Sequence, residues 1–423
     1  MMESTKLEEY LTYRDSGVKW LNEIPLHWKL VRLKYIVSYQ KGKNPKEISL
    51  EETGDIYLSM EYLRGDYKKI QYINNSKGLV SVEENDILLL WDGSNAGEFI
   101  RGKKGILSST MAVIKINSIH ERYSKYYLNV IEKQLRQSTI GMGIPHVNSE
   151  ELKNLIFLVP PYKEQISIAQ FLDSKIHKID KAINQKTRLI ELLKERKQIL
   201  IHKAVTHGLD PTLPMKDSGV EWIGMIPKHW KIVTNYSLFE QRNEKGNDKL
   251  PILSISIHTA VSSEELNDEN NIRGKIRIED KSSYKLVKPN DIAFNMMRAW
   301  QGAIGSVSTM GMVSPAYIVV KPITTINSIF FEYQYRTDLF IQQMDRFSRG
   351  ITDFRKRLYW NEFKRLFTIL PPENEQREIV EFVENATAKI QIAVAYKQKE
   401  IEKLKEYKST LINSAVTGKI KVS

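Results

Sequence analysis

LVPPYKEQISIAQFLDSKIHKID, Leu158 to Asp180, returns as ILPPENEQREIVEFVENATAKIQ, Ile369 to Gln391, at a shift of 211. The alignment runs on without a gap to Ala204-Val205-Thr206 against Ala415-Val416-Thr417. Pro160-Pro161 and Pro371-Pro372 end whatever precedes them, because proline has no N–H to donate and its ring blocks helix continuation. From Glu164 and Glu375 onward about forty residues contain neither proline nor glycine, which at 1.5 Å per residue predicts a helix of roughly 60 Å. Apolar residues in the first segment fall at Leu172, Ile176, Ile179, Ile183, Ile190, Leu193 and Leu200, and in the second at Val383, Ile390, Val394, Ile401, Leu404 and Leu411. That three-four alternation is a coiled-coil seam. Lysines interrupt both seams at matching places, Lys186 with Lys397 and Lys197 with Lys408, as register-fixing polar residues do. If the first helix leads from one globular portion to the next, and the second starts there and pairs with it, the pair must be antiparallel. A pseudo-twofold arrangement is expected.

Outward from the helices the repeat covers the rest of the chain. DSGVKWLNEIPLHWKLV (Asp15 to Val31) returns as DSGVEWIGMIPKHWKIV (Asp217 to Val233), with 11 identities in 17 positions at a shift of 202. Asn85-Asp86-Ile87 matches Asn290-Asp291-Ile292, and Ser108, Val113 and Lys115 match Ser314, Val319 and Lys321. Globular portions of varying sequence thus alternate with connectors of fixed length. Four segments follow: 1–160, 161–207, 208–371 and 372–418.

Inside the globular portions the pattern is short apolar runs separated by turn residues. Ile56–Met60, Ile87–Leu90 and Met111–Ile116 read as strands, with counterparts at Ile252–Ile255 and Ala316–Val320. The glycine loop Asp92–Gly97 divides two of them. The expected fold class is α+β: two β-rich mixed domains in internal repeat, each followed by a long helix.

With 423 residues, 41% of them hydrophobic and 27% charged, the chain has enough length for two or three cores and no apolar run approaching a membrane span. The polar opening Met1–Lys6 predicts no secretory signal and a cytoplasmic protein. Zero cysteines exclude disulfides, thiolate nucleophiles and sulfur-ligated zinc. A formal charge of +12 suits a polyanionic partner.

Catalytic motifs come close without matching. Gly97–Lys104, GEFIRGKK, has the glycine spacing of a phosphate loop but ends on Lys104 where a hydroxyl must hold magnesium, and it leads toward a strand. Val159-Pro160-Pro161-Tyr162 resembles the Pro-Pro-aromatic motif of amino-methylating enzymes, yet Val159 cannot accept a hydrogen bond from the target amine, nor can Leu370 in the second copy. His27 and His229, in the Ile-Pro-x-His-Trp segment of each copy, read as structural rather than catalytic. No catalytic residue and no metal ligand is assigned.

Basic residues interleaved with aromatics supply candidate DNA contacts. In the first copy these are Lys41, Lys43, Arg64, Lys68, Lys69, Asn95, Arg101, Lys103 and Lys104. In the second they are Arg242, Arg273, Lys275, Arg277, Arg298, Gln301, Arg349, Arg355, Lys356, Arg357 and Tyr359, with the run from Arg349 to Arg357 the densest.

Two variable portions, each followed by Pro-Pro-x-x-Glu-Gln (Pro160 to Gln165, Pro371 to Gln376) and a long helix of fixed length, resemble the specificity subunit of type I restriction-modification systems. Ile-Pro-x-His-Trp opening each copy and Ala-Val-Thr closing each helix add to that resemblance. It implies that 1–160 and 208–371 are target-recognition domains, each reading half of a split double-stranded DNA target. It also implies that 161–207 and 372–418 are spacers docking two modification subunits, with restriction subunits joining the assembly. S-adenosylmethionine, ATP and magnesium would then sit on the partners, with no cofactor on this chain. Two other readings stay open from the residues: a stand-alone methyltransferase or nuclease, which would need a catalytic cluster, and a coiled-coil scaffold that binds protein and ignores DNA.

Overall fold

A computed structural model describes residues 8–141, 143–247, 249–263, 283–350 and 356–422. The chain divides into two compact units, Met1–Lys186 with Lys399–Ser423, and Thr187–Gln398. Among the described residues no helix is long and apolar enough to cross a membrane.

The first unit is organised by a four-stranded antiparallel sheet in the order Val37–Lys41, Met111–Ile116, Ile87–Leu90, Phe99–Arg101. Its two central strands are apolar at consecutive positions because both faces are covered. Ile87, Leu89, Ala112 and Ile114 enter one core with Tyr123, Tyr127 and Ile131 of the helix Glu121–Gln137. Leu88, Leu90, Met111 and Val113 enter a second, smaller core with Leu58, Val82 and Leu107. Side chains alternate across a strand, so an unbroken apolar run fills two cores at once. The smaller core lies under a second sheet, ordered Tyr72–Ile73, Asp55–Leu58, Gly105–Leu107, Ser81–Val82. Strand Asp55–Leu58 stops earlier than the apolar pattern predicts, since Ser59 accepts from the Tyr62 N–H and caps a short helix, Met60–Leu63.

The second unit repeats the plan: Phe239–Gln241, Tyr317–Pro322, Ile292–Asn295, Ile304–Ser306, antiparallel throughout. Val320 pairs with Ile292 and Gln241 as Ile114 pairs with Ile87 and Tyr39. The same alternation sends Ile292, Phe294, Ile318 and Val320 to the large core and Ala293 and Val319 to the small one. Even the entry turn is kept: Asn85 and Asn290 sit at φ 73° and 70°. The carboxylates of Asp86 and Asp291 accept the Glu83 and Lys288 N–H groups at 2.9 and 2.8 Å. One helix of the first unit is replaced here by two, Ser328–Tyr335 and Asp338–Phe347.

The segments after Pro-Pro form single helices, Tyr162–His207 and Glu373–Val416. In the first unit Lys186 Nζ meets Glu400 at 2.7 Å and Lys408 Nζ meets Asp180 at 2.7 Å, so the two helices run antiparallel there. Leu172, Ile176, Ile179 and Ile183 share the large core of that unit with Leu404 and Leu411. In the second unit Leu200 and Val383 share its large core. Ile190 and Ile401 are buried, and Leu193, Ile390 and Val394 half-buried. Lys186 and Lys408, both seam lysines, are thus each held by a carboxylate on the other helix.

The three recurrent segments meet in each unit. In the first, the Glu164 carboxylate accepts from Trp28 Nε1 at 2.9 Å and bonds His27 Nε2 at 2.7 Å. Gln165 Nε2 donates to the Pro160 carbonyl at 2.8 Å while its Oε1 accepts the His120 N–H at 2.8 Å. Glu375 repeats this with Trp230 and His229 at 2.8 and 2.7 Å, and Gln376 with Pro371 and Asn327 at 2.9 Å each. The Glu anchors the first helical turn on the Trp, and the buried Gln satisfies a carbonyl stranded by Pro-Pro and the N–H at a neighbouring helix start. Against the same tryptophans lie the glycines that follow Ala-Val-Thr. Gly418 (φ 75°) packs on Pro25 and Trp28, and Gly208 (φ 79°) on Trp230 and Pro227. Each joint therefore receives the start of one long helix and the end of the other.

Candidate nucleic-acid interface

In the second unit the structure brings two separated candidate clusters together. Arg298 and Gln301, both exposed, begin and end the turn that runs from the cap Arg298 through Ala299–Gln301 and closes on Gly302 at φ 89°. Arg349 and Arg357 form a backbone bridge, each N–H donating to the other's carbonyl at 2.8 Å, and the next residue, Leu358, donates to the Met296 carbonyl at 2.8 Å. Lys356 Nζ lies 5.1 Å above the Trp300 ring and 2.6 Å from Asp345. Arg349 pairs with Glu362, and exposed Tyr359 starts the next short helix. Two loops far apart in sequence thus present Arg298, Gln301, Arg349, Lys356 and Arg357 on one pair of strand ends. Their positive charge can meet phosphate, and the planar Arg and amide groups can meet base edges.

Arg336 supports these loops, and the sequence gives no sign of it. From the end of helix Ser328–Tyr335 its guanidinium donates to the Gly302 carbonyl at 3.0 Å, Ile257 at 2.8 Å, and Ser256 and Ile304 at 3.3 Å each. Burial lowers its pKa from the usual arginine value, with the Glu332 carboxylate opposing. Burial in turn raises the Glu332 carboxyl, which accepts the Ser306 N–H at 2.8 Å.

Arg242 proves to be a strut. It is 7% exposed, bonded to Asp291 by Nε at 2.7 Å and Nη2 at 2.9 Å, and paired with Glu244. Those bonds raise its pKa against the opposing effect of burial, and they point the cation inward, so it drops out of the DNA-contacting set. Arg273, Lys275, Arg277 and Arg355 lie outside the described residues.

The candidates of the first unit are more dispersed. Lys41 Nζ stands 5.0 Å over Trp91 and 3.4 Å from Asp92, at the loop that carries half-buried Asn95. Arg64 pairs with Glu98 at 2.9 Å. Lys103 is held over Tyr62 and Tyr67, 4.8 Å from each ring, with the Tyr67 hydroxyl at 2.8 Å. Lys43, Lys68, Lys69 and Lys104 are exposed. Arg101 lines a cleft of about 750 Å³ with Arg122, Lys125 and Asp173. The stretch Gly97–Lys104 contains the strand Phe99–Arg101 and runs on to the strand Gly105–Leu107, so no helix N-terminus faces a phosphate there. Among the described residues no group of three or more His, Asp or Glu side chains could hold a metal ion.

Comparison with known proteins turns this geometry into a family assignment. The chain is 30% identical over 444 aligned positions, 97% of each chain, to the type I restriction enzyme MjaVIII specificity subunit of Methanocaldococcus jannaschii. The chain belongs to the type I restriction enzyme specificity subunits. Residues 25–192 match the family described as type I restriction modification DNA specificity domain. The Escherichia coli EcoBI specificity subunit is 23% identical over 73% of this chain and 68% of its own. A chain from a solved structure on complex assembly and conformational transition of the type I restriction-modification system covers 93% of this chain and 98% of its own. Its TM-score of 0.64 at 12% identity shows the same fold. As a specificity subunit the chain serves DNA recognition without itself being the enzyme, and neither the solitary enzyme nor the DNA-blind scaffold is favoured.

Proposed function

We propose that this specificity subunit selects a bipartite double-stranded DNA target, one half-site per unit, and docks two modification subunits, with restriction subunits completing the complex in the cytoplasm. The observation that carries this is the duplicated pair of loops at matching sheet ends, basic in the second unit and held by the same backbone bonds in both. Methyl donor, ATP and magnesium belong on the partners in this reading. The helices act as the ruler between half-sites, because their length is the part of the repeat that does not vary.

The test is to express the chain with its modification subunit and map methylated sites. One bipartite motif that disappears with the chain is expected. Four residues inserted into both helices, between Ile183 and Ile190 and between Val394 and Ile401, add about 6 Å to each. At about 3.4 Å per base pair the gap should lengthen by one or two base pairs with both half-sites unchanged. A changed half-site with an unchanged gap would refute the ruler.

A further inference from the structure

The first unit has a counterpart to the basic loop of the second, and its sequence is unlike it. Ile140 and His146 exchange backbone hydrogen bonds at 3.0 and 2.8 Å, as Arg349 and Arg357 do. Val147 then donates to the Trp91 carbonyl at 2.8 Å, as Leu358 donates to Met296, and Gly93 donates to Pro145 at 2.9 Å. Gly141 and Gly350, each directly after the first bridging residue, have φ 121° and 145°. At Gly141 the turn itself demands this, because a Cβ there would stand 2.5 Å from the Ile144 carbonyl. The two loops are one device in two copies. Yet no lysine or arginine occurs between Thr139 and Asn148, and the tip instead exposes Ile144 (71%) and, at its base, Ile140 (48%).

An apolar tip cannot hold a phosphate. In the major groove the apolar group on a base edge is the 5-methyl of thymine. We propose that Ile144 is a specificity-determining residue of the first half-site, packing on a thymine methyl where the second unit uses arginine. A protein partner is disfavoured as the occupant because the same device in the second unit is strongly basic. The proposal rests on the reading that the chain selects DNA.

The test uses the full chain in complex with its modification subunit and duplexes carrying the mapped motif. Each thymine of the first half-site is replaced singly by deoxyuridine, which removes only the methyl. At one position wild-type binding should weaken about fourfold, the worth of one buried methyl group. Ile144→Ala should not distinguish thymine from deoxyuridine at that position, and its response to replacements in the second half-site should match wild type. Wild-type indifference to every replacement in the first half-site overturns the proposal, and so does discrimination that persists in Ile144→Ala. Should Ile144→Ala fail to assemble, the wild-type series together with Ile144→Val, which trims one methylene and should reduce the discrimination, still decides. Absence of any chain-dependent motif would overturn the functional reading, and this proposal with it.

Discussion

The two units share a joint and differ in their loops. At the joint, His27, Trp28, Glu164 and Gln165 have the same partners as His229, Trp230, Glu375 and Gln376, with distances agreeing within 0.1 Å. At the sheet ends the backbone bonds repeat while Ile140–His146 and Arg349–Arg357 share little beyond one glycine. The difference follows from what each residue must satisfy. A buried indole N–H, an amide and a stranded carbonyl admit few substitutes, because an unpaired buried polar group costs about 1 to 3 kcal/mol. Loop side chains that face solvent carry no such constraint and are free to diverge.

The equivalence of the joints is tested most severely at the tryptophans. Trp28→Ala and Trp230→Ala each open a cavity and remove one hydrogen bond to a carboxylate that keeps its histidine, so each should lower stability by about 3 to 5 kcal/mol in denaturant unfolding. A loss at one joint only would break the comparison. The struts should separate the units where the joints do not: Arg242→Ala leaves Asp291, 1% exposed, without its partner and should cost about 3 kcal/mol. Its counterpart Gln40 lies exposed at the matching place in the sheet, and Gln40→Ala should shift stability by less than about 0.5 kcal/mol.

Glycine sharpens the joints further. Gly208→Ala should cost about 1 to 2 kcal/mol, chiefly for its left-handed backbone, since the nearest atom to a new Cβ, on Trp230 at 3.3 Å, has to give only slightly. Gly418→Ala should cost more, because the new Cβ would meet Pro25 Cδ at 2.4 Å. A small effect is also expected at Lys408, whose bond to Asp180 is about a third to a half exposed. Lys408→Ala should change stability by less than about 1 kcal/mol, and less still in high salt. Equal losses at Gly208 and Gly418, or a large loss at Lys408, would show that the joints are packed otherwise than described.

The repeat made much of this legible in sequence. Ile87–Leu90 and Met111–Ile116 appear as strands at the expected positions because an apolar run buried on both faces leaves a continuous signal. The strand expected over Ile56–Met60 ended early because a single serine preferred to cap a helix. Charge pattern could not separate Arg242 from Arg298, since the deciding fact, a carboxylate 49 residues away, exists only once the sheet is formed. The loop Ile140–His146 was missed because a search for basic residues passes over an apolar tip. The signal that could have found it was the glycine at position 141, matching Gly350.

The first unit needs residues from both ends of the chain, whereas the second is one continuous stretch, Thr187–Gln398. At about 5 to 20 residues per second of synthesis, the 237 residues beyond Lys186 (423 − 186) take roughly 10 to 50 seconds to appear. Throughout that interval the nascent chain carries Pro25 and Trp28 without Gly418, which covers them in the finished molecule. The later unit can close first, and the earlier one waits on the ribosome with an uncovered apolar face, a period in which chaperone capture and aggregation compete for it.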